Sequence, residues 1–309
     1  MNNIICIAGP TASGKTALAV DLAKALNGEV VSCDSMYVYK YMNIGTAKPS
    51  LEEQQGIPHH MIDLAEPDED FPVSRYCELA TPIVDDIISR EKTAIIAGGT
   101  GLYMDALIKG NTFAPYPSTG CRERLEAQAD QMGMEYMQNL LQSIDPEAAA
   151  RIHDRKRLIR ALEVYYETGE TITAHNLKTQ AIPPRYNPLW IGLDFEDRAE
   201  LYSRIDRRVD IMLEMGLVEE IKELLARGVP AKCTALQAIG YKEFIAALEG
   251  EITVSEAADQ VRQSSRRYAK RQLTWFRRNE NMNWIKRKTG QSSDEIFALA
   301  RQLVKDIDN

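Results

Sequence analysis

Short apolar runs alternate with amphipathic segments along the N-terminal part of the chain. The run NIICIAGP ends at a Gly-Pro turn, and the segment GKTALAVDLAKALN that follows places Leu18, Leu22 and Leu26 on one helix face. GEVVSCDS and KTAIIAGGTGLY have the apolar character of two further buried strands, and VSRYCELATPIVDDIISRE between them has a helical period. Strands that alternate with helices predict a parallel sheet with crossover connections.

The pattern changes after NTFAPYPSTG, because residues 122 to about 179 show helical periodicity and turns without a strand. Strand character returns in LWIGLDF, and the chain from Asp197 onward is predicted to be helical. Its first part, ELYSRIDRRVDIMLEMGLVEEIKELLARG, has one apolar face and a predicted C-cap at Gly228. We therefore predict a core in two parts, residues 1–115 and 186–309, separated by a helical insertion of residues 116–185.

The stretch GPTASGKT follows the first predicted strand and opens the first predicted helix. In this context G-x-x-x-x-G-K-[ST] forms a phosphate-binding loop, whose glycines let backbone N–H groups converge on an anion. Lys15 supplies a positive charge, and the Thr16 hydroxyl is a candidate ligand for Mg²⁺. The candidate diphosphate- or nucleotide-binding residues are Gly9, Pro10, Thr11, Ala12, Ser13, Gly14, Lys15 and Thr16. The predicted fold class is α/β, a P-loop NTPase-like parallel sheet flanked by helices, with a helical insertion domain.

The loop recognises phosphate and leaves open which compound carries it, with ATP or GTP the commonest. P-loop NTPases usually hold Mg²⁺ with the help of an Asp at the end of an apolar strand. Here TAIIAGG leads into Thr100 and Gly101 instead, and Thr100 presents a hydroxyl to a ligand. Because the loop reads the pyrophosphate and not the nucleoside, any diphosphate ester satisfies it.

Asp34 follows the second predicted strand, at the sheet edge where ligands of parallel sheets bind. A carboxylate there can serve a Mg²⁺ or water network, cap a helix, or act as a general base beside the phosphates. Spacing alone leaves these roles open.

Basic residues are concentrated near the C-terminus of a chain whose formal net charge is −8. Residues 260–279 contain seven Lys and Arg and no acid, so the rest of the chain carries −15 (−8 minus 7). Cations recur at four-residue steps at Arg262, Arg266, Lys270 and Arg278. A solvated surface helix and a nucleic-acid contact both fit this pattern. The lack of compensating acid and the aromatic Tyr268, Trp275 and Phe276 among the cations favour nucleic acid.

Cysteine usage and hydropathy bear on the compartment. The five cysteines are scattered and form no C-x-x-C pair, which favours a reduced, cytoplasmic protein over a disulfide framework or a zinc site. No apolar run approaches the roughly 20 residues of a spanning helix, and MNNIICIAGP has no basic leader. We therefore expect no membrane association.

The phosphate loop, the Asp34 segment and the basic segment belong to a series of motifs that spans nearly the whole chain. In chain order these are GPTASGKT, DSMYVYKYMNIGTAKP, IPHHMIDL, IAGGTGLY, RLIRALEVYYETG, QAIGYKE and RRYAKRQLTWFRR. Together they resemble the tRNA dimethylallyltransferase family, also called tRNA isopentenyltransferase, of the bacterial type. GTAKP, GGTGLY and RRYAKRQLTWFR are much more specific to it than GPTASGKT.

The resemblance implies an activity and its partners. In that family the P-loop holds the pyrophosphate of dimethylallyl diphosphate, and a helical insertion grips the anticodon stem-loop of tRNA. The enzyme transfers the dimethylallyl group to the N6 amine of the adenosine immediately 3′ of the anticodon, with Mg²⁺ as cofactor. We expect the same partners here, for a protein that works as a monomer in the cytoplasm.

The resemblance also implies roles for particular residues. Asp34 would be the general base on the adenine amine, and Thr100 would help to orient the leaving group. The LYSRIDRR segment supplies an arginine to the diphosphate, and Arg204 and Arg208 both fit. The segments that correspond to tRNA contacts comprise Asp34, Ser35, Met36, Tyr37, Lys156, Arg157, Leu158, Ile159, Arg160, Gln237, Ala238, Ile239, Gly240, Tyr241, Lys242, Lys270, Arg271, Gln272, Trp275 and Arg277. Tyr37 departs from the family, which often has Gln there.

Other functions compete with tRNA prenylation. An adenylate isopentenyltransferase acting on free AMP, ADP or ATP needs neither a large insertion nor a basic helix. A P-loop small-molecule kinase needs ATP turnover, against which the GGTG strand end speaks. In a non-enzymatic P-loop RNA-binding protein, Asp34 is dispensable.

Overall fold

A parallel six-stranded sheet forms the centre of the larger of two compact units in this computed structural model, which describes residues 3–111, 113 and 119–308. The larger unit comprises Met1–Ile108 and Tyr186–Asn309, and the smaller comprises Lys109–Arg185. The strands are β1 (Ile4–Ala8), β2 (Gly28–Ser32), β3 (His59–His60), β4 (Thr93–Gly98), β5 (Leu189–Phe195) and β6 (Met282–Arg287). Their order is β3-β2-β4-β1-β5-β6, and the predicted fold class is confirmed.

Helices cover the sheet and build the smaller unit. They are α1 (Lys15–Ala25), α2 (Leu51–Gln54), α3 (Val73–Ser89), α4 (Gly101–Lys109), α5 (Cys121–Ile144), α6 (Pro146–Ala149), α7 (Arg155–Thr168), α8 (Ile172–Ala181), α9 (Arg198–Glu214), α10 (Leu217–Ala226), α11 (Lys242–Leu248), α12 (Val254–Phe276) and α13 (Ser293–Asp308), with a 3₁₀ turn at Ala235–Gln237. No helix within the described ranges combines the length and apolar character needed to cross a membrane.

Strand β1 lies between β4 and β5 and is buried at every position, which explains its continuous apolar sequence. Helices α1 and α13 cover one face of the sheet through apolar residues such as Leu18, Leu22 and Ile296. Because all strands run in the same direction, the segments that follow β1, β2 and β4 meet at one edge. The phosphate loop, Asp34 and Thr100 lie on those segments.

Two expectations about the C-terminal part are wrong. The chain after Asp197 contains strand β6, which the pattern missed because an edge strand needs no continuous apolar run and this one carries Lys286 and Arg287. The predicted long helix before Gly228 is divided into α9 and α10 at Gly216, whose φ of 95° lies in the left-handed region.

The smaller unit has a hydrophobic core of its own, formed by α5, α6 and α7. Its buried residues are Cys121, Leu125, Ala129, Met137, Leu141, Ala148, Ala149, Leu158, Ile159, Ala161 and Leu162. This unit begins at Lys109, whereas the sequence placed the start of the insertion at residue 116. The predicted boundary itself, between residues 115 and 116, lies outside the described residues.

Candidate active site

The phosphate loop is held tightly against the neighbouring strand β5. A Cβ atom on Gly9 would lie 2.7 Å from the backbone oxygen of Leu193, so only glycine fits. Within the loop, the Lys15 ammonium donates a hydrogen bond to the backbone oxygen of Pro10 at 2.7 Å. The Ser13 hydroxyl is buried and has no hydrogen-bond partner among the described residues. The loop therefore holds an unused polar atom where its sequence predicts an anion.

Lys15 and Asp34 act on each other electrostatically. Burial and the nearby Arg208 guanidinium lower the pKa of Lys15 to about 7, and the Asp34 carboxylate partly opposes this. Burial raises the pKa of Asp34, while a 2.9 Å hydrogen bond from the Met36 backbone N–H and the charges of Lys15 and Arg208 oppose the rise. A carboxylate with a raised pKa beside two cations can accept a proton next to a bound anion.

Thr100 connects the end of β4 to the segment that carries Asp34. Its hydroxyl accepts a hydrogen bond from the Ser35 backbone N–H at 3.0 Å, and its own N–H donates to Cys33 O at 3.2 Å. The approach is close because Gly98 has no side chain: a Cβ atom there would lie 1.9 Å from Cys33 O. Thr100 thus helps to fix the position of Asp34.

Helix α9 directs both candidate arginines to this edge, but at different places. The Arg204 side chain donates to Ala12 O at 3.1 Å and so contacts the loop backbone. Arg208 donates to Thr46 O at 3.2 Å. The Arg208 guanidinium lowers the pKa of both Lys15 and Asp34, which places it near these two charged groups.

Glu220 is a site residue that sequence reasoning missed. Its carboxylate accepts hydrogen bonds from the backbone N–H groups of Asn43, Ile44 and Gly45 at 2.8, 2.7 and 3.1 Å, and from the Tyr241 hydroxyl at 2.8 Å. These bonds fix the loop that continues to Thr46, the partner of Arg208. No local signal identifies Glu220, because it looks like any acidic residue in the first turn of a helix.

The segments around Tyr37 and Tyr241 mix exposed and buried positions. Tyr37 is half-buried, its hydroxyl donates to Ala47 O at 2.8 Å, and burial raises its pKa to about 12. The Tyr241 side chain is fully buried, and the tRNA contact expected of it stays a prediction. The remaining members of these segments are Ser35, Met36, Ala238 and Ile239, which are half-buried, Gly240, which is buried, and Gln237 and Lys242, which are exposed.

Helix α12 separates exposed cations from buried contacts. Lys270 and Arg271 are exposed, and Arg271 lies over the Tyr268 ring with 5.5 Å between guanidinium and ring centre. Gln272 is buried and hydrogen-bonds to the backbone of Thr11 and Gly99, and its expected tRNA contact stays a prediction. Trp275 donates to Asp105 at 3.0 Å, and exposed Arg277 pairs with buried Asp194 at 2.9 Å.

The expectation that the basic stripe lacks compensating acid is wrong. Arg262 forms ion pairs with Asp210 of α9 and with Asp259, and Arg266 forms one with Asp206 of α9. Asp206 and Asp210 come from a neighbouring helix, so the local sequence of α12 cannot reveal them, whereas Asp259 lies in α12 itself, just before the basic stretch.

In the smaller unit, the segment predicted to contact tRNA, residues 156–160, also contains both exposed and buried side chains. Lys156 and Arg157 are exposed, whereas Leu158 and Ile159 are buried in the core of this unit. The tRNA contacts expected of these residues stay a prediction. Arg160 pairs with buried Glu163 at 2.6 Å. A cavity of about 520 Å³ lies beside helix α7. It is lined by Arg122, Glu126, Ile152, Lys156, Arg157, Ile159, Arg160, Ala161 and Ile172.

The metal expectation rests on oxygen atoms at the phosphate loop. Within the described residues, no group of three or more His, Cys, Asp or Glu side chains is placed to hold a metal ion. Mg²⁺ is commonly bound by one or two protein oxygens together with substrate phosphates and water. The Thr16 hydroxyl and the unpartnered Ser13 hydroxyl suit that kind of site.

Comparison with known proteins agrees with this geometry. A family model described as IPP transferase matches residues 37–279. The tRNA dimethylallyltransferase of Acetivibrio thermocellus is 48% identical over 303 residues, 96% of each chain. The crystal structure of tRNA isopentenylpyrophosphate transferase from Bacillus halodurans is 42% identical, with a TM-score of 0.73 and coverage of 99% of this chain and 98% of that one. A eukaryotic dimethylallyltransferase acting on tRNA gives 29% identity and a TM-score of 0.83, covering 98% of this chain and 79% of that one.

Proposed function

Because the chain belongs to the IPP transferase family, we propose that it prenylates tRNA. The dimethylallyl group passes from dimethylallyl diphosphate to the N6 amine of the adenosine immediately 3′ of the anticodon, and diphosphate is released. The observation that carries this proposal is the meeting of Asp34, Lys15 and Arg208 at the carboxyl edge of the sheet, where a proton acceptor lies near two basic side chains.

The reaction needs one bond to break and another to form. The allylic carbon–oxygen bond breaks, and its electron pair leaves with the diphosphate. Loop N–H groups, Lys15 and Arg208 stabilise that growing negative charge. The adenine nitrogen forms the new bond to carbon and gives its proton to the Asp34 carboxylate.

The cofactor we propose is Mg²⁺, held through the Thr16 hydroxyl. A bound Mg²⁺ supplies positive charge to the diphosphate oxygens and makes diphosphate a better leaving group. The Thr16 position at the start of α1, next to the loop, supports this assignment.

The residues at the end of β4 favour prenyl transfer over ATP turnover. The strand ends at Gly98 and leads into Gly99 and Thr100, where a P-loop NTPase usually has its Asp. Exposed Lys270 and Arg271 on α12, and exposed Lys156 and Arg157 on α7, suit a polyanion such as tRNA. A free nucleotide needs neither set.

The test is an incubation of the pure protein with Mg²⁺, labelled dimethylallyl diphosphate and unmodified tRNA, alongside free AMP and ATP. We expect label in tRNA, and none when the target adenosine is replaced by guanosine. Label in the free nucleotides alone would assign the protein to adenylate prenylation. ATP consumption without any transfer of label would assign it to the kinases.

A further inference from the structure

Buried Gln272 joins the two loops of the candidate site. Its side-chain oxygen accepts a hydrogen bond from the Thr11 N–H in the phosphate loop at 2.9 Å. Its side-chain nitrogen donates to Gly99 O, at the end of β4, at 3.0 Å. The residue is only 6% exposed. One side chain on α12 therefore bonds to the backbone of both loops.

The space around this amide is narrow. A Cβ atom on Gly99 would lie 2.2 Å from the Gln272 side-chain nitrogen, so the chain has room for the amide only because residue 99 is glycine. Tyr268 lies one turn earlier on α12, where burial raises its pKa and the nearby Thr100 and Gln272 side chains oppose the rise. Trp275, on the other side, packs against Gly101, where a Cβ atom would lie 2.2 Å from the indole ring. Helix α12 is thus fitted along the whole turn after β4.

We propose that Gln272 is a positioning residue, which aligns the phosphate loop with the turn that carries Thr100. Thr100 in turn holds the Ser35 N–H beside Asp34. The leaving-group side of the reaction lies on the loop and the proton acceptor lies beyond Thr100, so Gln272 sets the distance between them. This inference rests on the proposed function for its catalytic consequence.

The same helix carries the exposed Lys270 and Arg271, which immediately precede Gln272 in sequence. A polyanion bound to those cations would contact the helix that carries Gln272. The exposed cations and the amide that bonds both loops therefore lie on one helix.

The test compares Gln272→Met, which keeps the shape and removes both hydrogen bonds, with the matched control Gln263→Met at an exposed position of α12. For Gln272→Met we expect kcat to fall on the order of 100-fold, because a misplacement of about 1 Å has that effect. We expect its affinity for inorganic diphosphate to fall about tenfold and its affinity for tRNA to stay at the wild-type value. Gln263→Met should match the wild type in all three.

A second variant separates alignment from simple packing. In Gln272→Glu, a protonated carboxyl can still accept from Thr11 and donate to Gly99 O, whereas the carboxylate repels that oxygen. The ratio of variant to wild-type kcat should therefore rise as the pH is lowered from about 8 to about 6, since burial raises a carboxyl pKa. The neighbouring Tyr268, Arg271 and Asp34 side chains are present in both proteins, so the ratio compares the effect of residue 272.

The proposal is overturned if folded Gln272→Met keeps wild-type kcat and diphosphate affinity, or if the pH ratio of Gln272→Glu is flat. Failure of the proposed function is recognised separately, because the wild type itself would then transfer no label to tRNA. The diphosphate affinities would still test the bond to Thr11 in that case.

Discussion

Burial and the opposite charge of the partner shift the pKa values of Lys15 and Asp34 in opposite directions. Burial has the larger effect for both residues, so each pKa shifts in the direction that favours the neutral side chain. The charge of the partner only limits the shift. The site without ligand is therefore less charged than its sequence indicates. A bound diphosphate would reverse this for Lys15, because an adjacent anion favours the ammonium form.

Diphosphate binding should take up a proton above neutral pH. Lys15 has a pKa of about 7 in the free protein, so it is largely neutral at higher pH and becomes charged beside the anion. At about pH 8 we expect uptake of about one proton per diphosphate bound, falling as the pH drops below 7. Titration calorimetry in buffers with different ionisation enthalpies measures this directly.

Lys15→Arg is the matched control, because an arginine keeps the charge and does not deprotonate. The variant should show only the background uptake from diphosphate itself and from the other groups. Equal uptake by the wild type and the variant at about pH 8 would contradict a neutral Lys15.

Replacement of Asp34 by Asn should separate binding from chemistry. The Asn side-chain oxygen can still accept the hydrogen bond from the Met36 N–H, so local structure is retained. We expect Asp34→Asn to bind tRNA like the wild type and to lose transfer by about 10²- to 10⁴-fold, the usual contribution of a general base. Single-turnover rates and tRNA binding curves give the two quantities, and wild-type transfer by the variant would exclude Asp34 as the base.

At the scale of elements, helix α12 performs two tasks on different faces. Its buried side bonds the phosphate loop and the turn after β4, while its exposed side carries cations such as Lys270 and Arg271. Toward its N-terminus, the cations are instead neutralised by α9. The positive surface is therefore shorter than the basic sequence.

Substitutions of Arg271 and Arg262 test whether tRNA binds the exposed cations of α12 and not those paired with acids. We expect Arg271→Ala to weaken tRNA binding and to reduce the slope of log affinity against log salt by about one, because one phosphate contact is lost. Arg262→Ala removes two intramolecular ion pairs, so it should leave tRNA affinity unchanged and lower stability by about 0–1 kcal/mol. Filter binding at several salt concentrations and thermal unfolding measure both. A loss of tRNA affinity in Arg262→Ala that is larger than the loss in Arg271→Ala would contradict this assignment of the cations.

At the scale of the whole molecule, the chain forms two compact units with separate hydrophobic cores. The phosphate loop belongs to the larger unit, and the insertion carries Lys156 and Arg157. Damage to the insertion core should therefore affect tRNA binding without affecting the phosphate loop.

Leu158→Ala tests this separation, since Leu158 is fully buried in the insertion. We expect a loss of about 2–5 kcal/mol in the stability of that unit, seen as faster hydrogen exchange in α5 and α7, together with weaker tRNA binding. Affinity for inorganic diphosphate should stay at the wild-type value.

The control for this prediction is Ile7→Ala in β1, the strand that leads into the phosphate loop. It should weaken diphosphate binding and speed exchange across the sheet. Weaker diphosphate binding in Leu158→Ala as well would show that the two cores are energetically coupled.

Features that depend on neighbours in the chain were predictable from the sequence. The period of apolar residues identified β1, β2, β4 and β5, and the phosphate loop followed from its own turn chemistry. Parallel pairing then brought Asp34 and Thr100 to the edge that holds the loop. The motifs, taken together, were enough to indicate the family.

Only the tertiary structure decided which side chains are free to meet a ligand. The bond from Thr11 to Gln272 spans 261 positions of sequence, and that from Asn43 to Glu220 spans 177. Arg266 likewise finds its acid 60 positions away. Hydropathy and spacing report the local backbone, whereas partners so distant become neighbours only when the sheet and helices pack. Burial and charge compensation at the site are therefore properties of the folded chain.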